Sequence, residues 1–395
     1  MLLNKIFLLH KSISLQLYNN ITTWICLFAI TSANGVDSLY YFILIGSINF
    51  TILLFSNFGS NDYIFLKSSK IGKNALPLVQ NIFVFSFFIS LTLYLILLIF
   101  YYFYDFEFYS NFIFLGLNSI FLNIGIVSNY LIAIKNLNKI SVIRIVILTL
   151  FILFLCIPKE PSNIYIYIVY TLNNFLIFII LFFIYLKKIQ INLKYINLII
   201  RRNFNIFLSS LIAGIRGRTF LIILNLFLNQ TEISIFGLIT RIIEGFNLIF
   251  LYAVRTYSFS IIKVSKYKKI IFSSLKVKTL ILINLIIICL FITNDKNNYY
   301  LYNLEKSDFT QYLYLIYVAI YISFLKIQEN LFKLNFININ KNIILLKTSI
   351  LNTIIYAIST LILTNFFGLK GTLITYILGS HLTYFINITF NKKYL

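Results

Sequence analysis

The 395-residue chain is short of nearly everything a water-soluble surface is built from. Only 11% of its residues are charged, and it has three prolines, three cysteines, two histidines, one methionine and one tryptophan. A soluble chain of this length carries roughly a quarter of its residues as charges, so a soluble multi-domain protein is excluded. The same composition excludes disordered, collagen-like and disulfide-scaffold classes. Cys26, Cys156 and Cys289 lie within apolar runs and read as packed apolar residues, with no disulfide framework and no metal spacing. His10 and His381 stand alone, so a metal site has little support and no cofactor is implied. Acids are scarce as well: 11 stand against 33 Lys and Arg, for a net charge of +22. A basic excess of that size first suggests nucleic acid.

What is present is apolar bulk. Hydrophobic residues make up 60% of the chain, and the mean hydropathy is +0.91. Runs near the ~20 residues needed to cross a bilayer as a helix recur along the whole length. They fall at 13–31, 39–57, 78–101, 112–132, 141–157, 164–186, 204–228, 234–253, 277–293, 311–326, 343–364 and 371–390. None shows the strict alternation of barrel strands. The expected fold is therefore an all-α integral membrane protein with about twelve transmembrane helices.

The basic residues then orient the spans. With both termini in the cytoplasm, 26 of the 33 fall in internal segments and four (Lys159, Lys296, Lys306, Lys370) in external loops. Asp37, Asp105, Glu107, Glu160, Glu232, Asp295, Glu305 and Asp308 lie on the external side. This is the positive-inside pattern. Spread over seven internal segments, the charge does not form the single patch that nucleic acid requires. The N-terminal run follows Lys5 and Lys11 without a small-residue cleavage site and reads as an uncleaved first span. The partner implied by the whole pattern is the lipid bilayer.

Residues 187–203, KKIQINLKYINLIIRRN, suit a helix lying in the cytoplasmic interface. They divide the chain into a six-helix lobe at 1–186, a linker at 187–203 and a second six-helix lobe at 204–395. Since six is even, any repeat is parallel, and a cavity between two lobes is the architecture of a transporter.

Three basic residues escape the positive-inside rule. Arg216 and Arg218 lie mid-way along span seven, and Arg241 lies in span eight with Glu244 three residues on. A charge at the bilayer centre costs about 2.5–3.5 kcal/mol, so these residues call for pairing or an aqueous cavity. Arg241 and Glu244 share a helical face and can pair. Arg216 and Arg218 lie about 200° apart on an ideal helix, unless Gly214 and Gly217 break it. The functional reading is an anion site, because guanidinium forks match phosphate or carboxylate oxygens. The competing reading is a buried Arg–Glu network that only orders the helices. The first half has no such charge, and Asn20 and Asn49 are its candidates for contacting sugar hydroxyls.

Three stretches carry a resemblance. SLYYFILIGSINFTILLFSNFGSNDYIFLKSSK (38–70) has a glycine-bearing helix, the Phe58–Gly59 pair and a basic stretch expected to be a cytoplasmic loop. IFGLITRIIEGFNLIFLYAVRTYSFSIIK (235–263) covers span eight and its exit. NFFGLKGTLITYILGS (365–380) places Gly368 and Gly371 at an external turn. Together these resemble the polysaccharide transporters of the MOP superfamily, the Wzx-type O-antigen flippases. The resemblance implies two MATE-like lobes in a bacterial inner membrane and an undecaprenyl-pyrophosphate-linked oligosaccharide as substrate. It implies alternating access rather than enzymatic turnover, in O-antigen or capsule-type synthesis beside a polysaccharide polymerase and a chain-length regulator. Two alternatives remain: a MATE-like drug/cation antiporter, which would want acids in the cavity, and a polymerase or glycosyltransferase using external carboxylates such as Asp105 and Glu107.

Overall fold

A computed structural model of the chain describes residues 21–134, 137–158, 161–186, 192–214, 220–261, 322–323, 325–326, 329 and 342–394. These residues are helical, apart from short turns. The expected first span is described from α1 (Ile21–Asn34) onward. The second is α2 (Leu39–Asn57), matching the apolar run residue for residue. A short helix, α3 (Ser60–Ile71), follows, then α4 (Leu76–Tyr104), whose first turn holds Pro77, where no backbone donor is needed. The expected fourth span is interrupted: α5 (Phe106–Gly116), α6 (Asn118–Phe121), a 3-10 turn (Leu122–Ile124) and α7 (Gly125–Ala133) form a continuous but irregular rod. α8 (Leu137–Leu155) and α9 (Asn163–Tyr185) complete the first half.

The second half begins with α10 (Leu193–Gly214), so residues 193–203 of the expected interfacial stretch run unbroken into span seven. Span seven is described as α10 up to Gly214 and again as α11 (Phe220–Leu224); residues 215–219 lie outside the described residues. α12 (Gln230–Ile261) opens on a reciprocal capping box: Asn229 N donates to Glu232 Oε2 at 3.2 Å and Glu232 N to Asn229 Oδ1 at 2.8 Å. The last element, α13 (Asn342–Tyr394), folds back at Gly368 (φ 55°, ψ −135°) into two antiparallel arms. Thr364 and Thr372 hydroxyls lie 2.8 Å apart across the turn, and Tyr356 packs on Tyr376 further along. Gly368 thus makes the turn expected between the last two spans. The ninth expected span lies outside the described residues, as does most of the tenth.

Among the described residues five helices, the hairpin counted as one, are long and apolar enough to cross a membrane. The outward faces of α4, α8 and the hairpin carry Leu95, Ile96, Ile99, Phe103, Val142, Val146, Leu153, Ile354 and Ile358, all exposed. Apolar surface on that scale fits contact with lipid and not with water. Cys156 is exposed beside it, and Cys26 is fully buried.

The basic stretch after Phe58–Gly59 is not the loop expected of it but helix α3, which packs on α7. Two successive left-handed residues reverse the chain there, Phe58 (φ 48°) and Gly59 (φ 66°). A Cβ on Gly59 would lie 2.9 Å from the backbone N of Phe207 in α10. The elbow is therefore pressed against the second half of the molecule, with the Phe58 and Phe207 rings stacked at 3.9 Å and 6° between planes.

Candidate functional site

α2 is the seam between the halves, touching α10, α11 and α12 along its length. At one end Thr231 donates to Asp37, and Tyr40 OH donates to Asn225 Oδ1 at 3.0 Å. At the other end Leu54 lies on Gly214 and Phe58 on Phe207. Between them Ile43 lies on Gly237, and the Arg241 guanidinium lies on Gly46. Gly237, Arg241 and Gly245 recur every four residues, so they share one face of α12.

Arg241 is the best-placed of the charges inferred from sequence. A Cβ on Gly46 would fall on top of its Nη2, so the missing side chain of α2 is what admits the guanidinium. Arg241 Nη1 lies 3.9 Å from Glu244 Oε2, with side-chain exposures of 11% and 26%. That spacing is an ion pair without a short hydrogen bond between those two atoms, and a guanidinium carries five donors. One residue beyond Glu244, Gly245 faces the indole of Trp24 from α1; a Cβ there would stand 2.5 Å from Cζ2 and 3.3 Å from Nε1. Arg241, Glu244 and Trp24 thus gather where α1 and α2 of the first half meet α12 of the second.

Asn49 occupies a different setting. Its Nδ2 donates to Leu115 O at 2.7 Å, just before the helix break, and only 5% of the residue is exposed. Around that break Asn118 Nδ2 bonds Thr171 Oγ1 at 3.0 Å, and Asn174 Nδ2 bonds Asn118 Oδ1 at 2.6 Å. Asn123 Nδ2 bonds Ser90 Oγ at 2.6 Å, and Ser56 Oγ donates to Asn123 Oδ1 at 3.3 Å. These neutral amides and hydroxyls tie the irregular rod to α2, α4 and α9, serving backbone carbonyls that a straight helix would have used itself. Asn20, Arg216 and Arg218, the remaining sequence-derived candidates, lie outside the described residues.

Sequence reading missed two charged positions. Arg144 falls inside α8, is 7% exposed, and donates from Nη2 to Ser128 Oγ at 3.1 Å, so the first half does bury a basic side chain. Lys326 pairs with Glu329 at 3.4 Å and lies 5.6 Å from the Tyr376 ring centroid, inside the second half rather than in a solvated loop. Their signal was the i, i+3 spacing for the pair and three apolar residues after Arg144 (Ile145, Val146, Ile147) for the other. Asp105, one of the external carboxylates of the enzyme alternative, caps α5 by accepting from Phe108 N at 2.9 Å; Glu107 Oε1 accepts from Tyr41 OH at 2.6 Å. Both carboxylates have structural work among the described residues.

No protein-family model matches the chain, and no curated protein matches it by sequence. Solved structures match its whole length. A MATE transporter in complex with MaL6 aligns at TM-score 0.62 and 14% identity, over 98% of this chain and 95% of the other. The inward-facing conformation of a multidrug resistance MATE family transporter of the MOP superfamily aligns at 0.62 and 15%, over 96% and 94%. A MOP superfamily transporter from Pyrococcus furiosus, described as having a binding pocket of reversed polarity that suggests a different function, aligns at 0.59 and 13%, over 98% and 95%. At these identities the likeness is one of fold: the described residues are helical and the chain is folded as MOP superfamily transporters are, with the apolar helices of a multi-pass membrane protein.

Proposed function

We propose that this chain is a membrane transporter that carries an anionic, lipid-linked saccharide between leaflets by alternating access around Arg241. The observation that carries the reading is the place of Arg241, whose guanidinium lies in the seam between the halves on Gly46. In a two-lobed transporter that seam opens to one side of the membrane and then the other. A charge held there meets the cargo midway, where a fixed cation is most effective because water is scarce. Arg216 and Arg218 add positive charge to the same half, while Glu244 offsets only one unit.

The finer reading is a flippase for undecaprenyl-pyrophosphate-linked oligosaccharide units in a bacterial inner membrane. The pyrophosphate would bind the arginines, the glycan would sit in the cavity, and the polyprenyl chain would stay in lipid through a gap between the 1–186 and 204–395 lobes. A polysaccharide polymerase and a chain-length regulator would take the product on the outer face. Internal lysines such as Lys67, Lys70 and Lys73 would draw the anionic lipid to the cytoplasmic leaflet.

A second reading is favoured by the multidrug transporters that share the fold and by Glu244, the acid beside Arg241 in the seam. It is antiport of organic cations. Reconstitution in liposomes separates the two. The flippase reading expects a polyprenyl-pyrophosphate saccharide to exchange between leaflets and Arg241→Ala to reduce that exchange at least a hundredfold, with membrane insertion intact. Exchange of the anionic lipid at wild-type rate in Arg241→Ala, or uptake of an organic cation in its place, overturns it.

A further inference from the structure

We infer that Trp24, Arg241 and Glu244 form a subsite for a glycosyl phosphate, with the Trp24 indole taking the sugar ring attached to the anion. The inference deepens the proposed function and rests on it.

Three placements carry it. Arg241, Glu244 and Gly245 stand at i, i+3 and i+4 of α12 and so share a face. Trp24 reaches that face from α1, in the other half, and the nitrogen-bearing side of its indole lies against the backbone at Gly245, where no side chain intervenes. The ring is only partly buried, and Thr23 and Tyr170, joined at 3.4 Å, fix α1 against α9 beside it. A forked cation, a carboxylate and a large aromatic surface therefore lie within about one helical turn.

A glycosyl phosphate presents the complementary groups in the same order. Its phosphate oxygens match the guanidinium fork. Its hydroxyls can donate to the carboxylate oxygens of Glu244. The ring's face of C–H bonds is apolar and slightly positive, and it packs on the electron-rich indole surface. A lipid pyrophosphate without sugar would satisfy Arg241 alone. An organic cation would find the guanidinium repulsive. Trp24 is thus assigned recognition of the first sugar, and Arg241 recognition of the charge. Because binding draws on α1 from one half and α12 from the other, the glycosylated lipid would also favour the state in which the two approach.

Trp24 is the chain's single tryptophan beside 29 tyrosines, so indole emission, excited to the red of the tyrosine absorption band, reports on this position alone. The test uses purified full-length protein with two probes: farnesyl pyrophosphate, and the same lipid pyrophosphate carrying one N-acetylhexosamine. Wild type is expected to bind the glycosylated probe about tenfold more tightly and to change its emission only with that probe. Trp24→Ala is expected to bind both probes with the affinity wild type has for the bare one, and Trp24→Phe to regain part of the preference. Equal affinities in wild type, or a preference that survives Trp24→Ala, overturns the subsite. A uniform loss for both probes in Trp24→Ala also overturns it, by making Trp24 a packing residue. Failure of wild type to bind either probe overturns the proposed function with it. The wild-type emission measurement decides the matter even if Trp24→Ala does not fold.

Discussion

The break in the expected fourth span and the seam around Arg241 both bury polar groups at membrane depth, and they do so by opposite means. At the break, Asn49, Asn118, Asn123, Asn174, Ser90 and Thr171 join in short, neutral hydrogen bonds of 2.6–3.0 Å. At the seam, Arg241 and Glu244 face each other at 3.9 Å, in a space cleared by Gly46. The first arrangement satisfies its amide donors with neutral acceptors, a backbone carbonyl, two hydroxyls and a side-chain amide. The second keeps a cation in the seam, 3.9 Å from the carboxylate one turn along its own helix. Neutral hydrogen bonds brace the break, whereas the seam holds an ion pair.

The comparison can be broken at either region. Beyond the loss of exchange expected for Arg241→Ala, the largest effect should come from Asn123→Ala. Asn123 is fully buried and bonds both Ser90 and Ser56, so truncation takes one hydrogen bond from each hydroxyl, leaving those to Ser86 O and Leu53 O, and should cost about 1–3 kcal/mol. Thermal unfolding of purified protein should show the loss, with the affinity for farnesyl pyrophosphate unchanged in the folded fraction. Gly46→Ala should do the reverse. The added methyl meets the far end of a flexible side chain, so the guanidinium shifts while the helices stay. Anion affinity should fall about tenfold, with little change in unfolding temperature.

A smaller effect is expected at the Phe58–Phe207 stack, which closes the end of the seam assigned to the cytoplasm. Phe207→Ala should remove about 1 kcal/mol of cross-seam contact. Cysteine labelling from the cytoplasmic side should then rise a few-fold at seam positions. At the opposite end Asn225→Ala removes one hydrogen bond from Tyr40, worth about 0.5–1.5 kcal/mol, and labelling from outside should rise less.

Much of this fold was legible as hydropathy. The run at 39–57 is α2 to the residue, and 343–364 and 371–390 are the two arms of α13 about Gly368. The break within 112–132 was hidden because Leu117, Leu122 and Ile124 are as apolar as any helix interior, and only the density of Asn and Ser marks it. Helix α3 was hidden because its lysines advertise a solvated segment, whereas the chain reversal at Phe58 and Gly59 depends on packing against Phe207. Of the candidate site, Arg241 and Glu244 were found by cost, as charges the bilayer penalises. The repeat Gly237, Arg241, Gly245 is also present in the sequence, yet its meaning depends on Ile43, Gly46 and Trp24, which approach only in the folded chain. Asn49 stood out for its polarity, but the structure gives it a backbone carbonyl to serve.

Equilibrium binding of farnesyl pyrophosphate to wild type, Arg241→Ala and Asn49→Ala tests the division of labour most directly. Arg241→Ala should lose at least tenfold in affinity at unchanged unfolding temperature, and Asn49→Ala should keep its affinity while unfolding at lower temperature. Undiminished binding by Arg241→Ala, or a loss confined to Asn49→Ala, would contradict the assignment of the seam as the anion site.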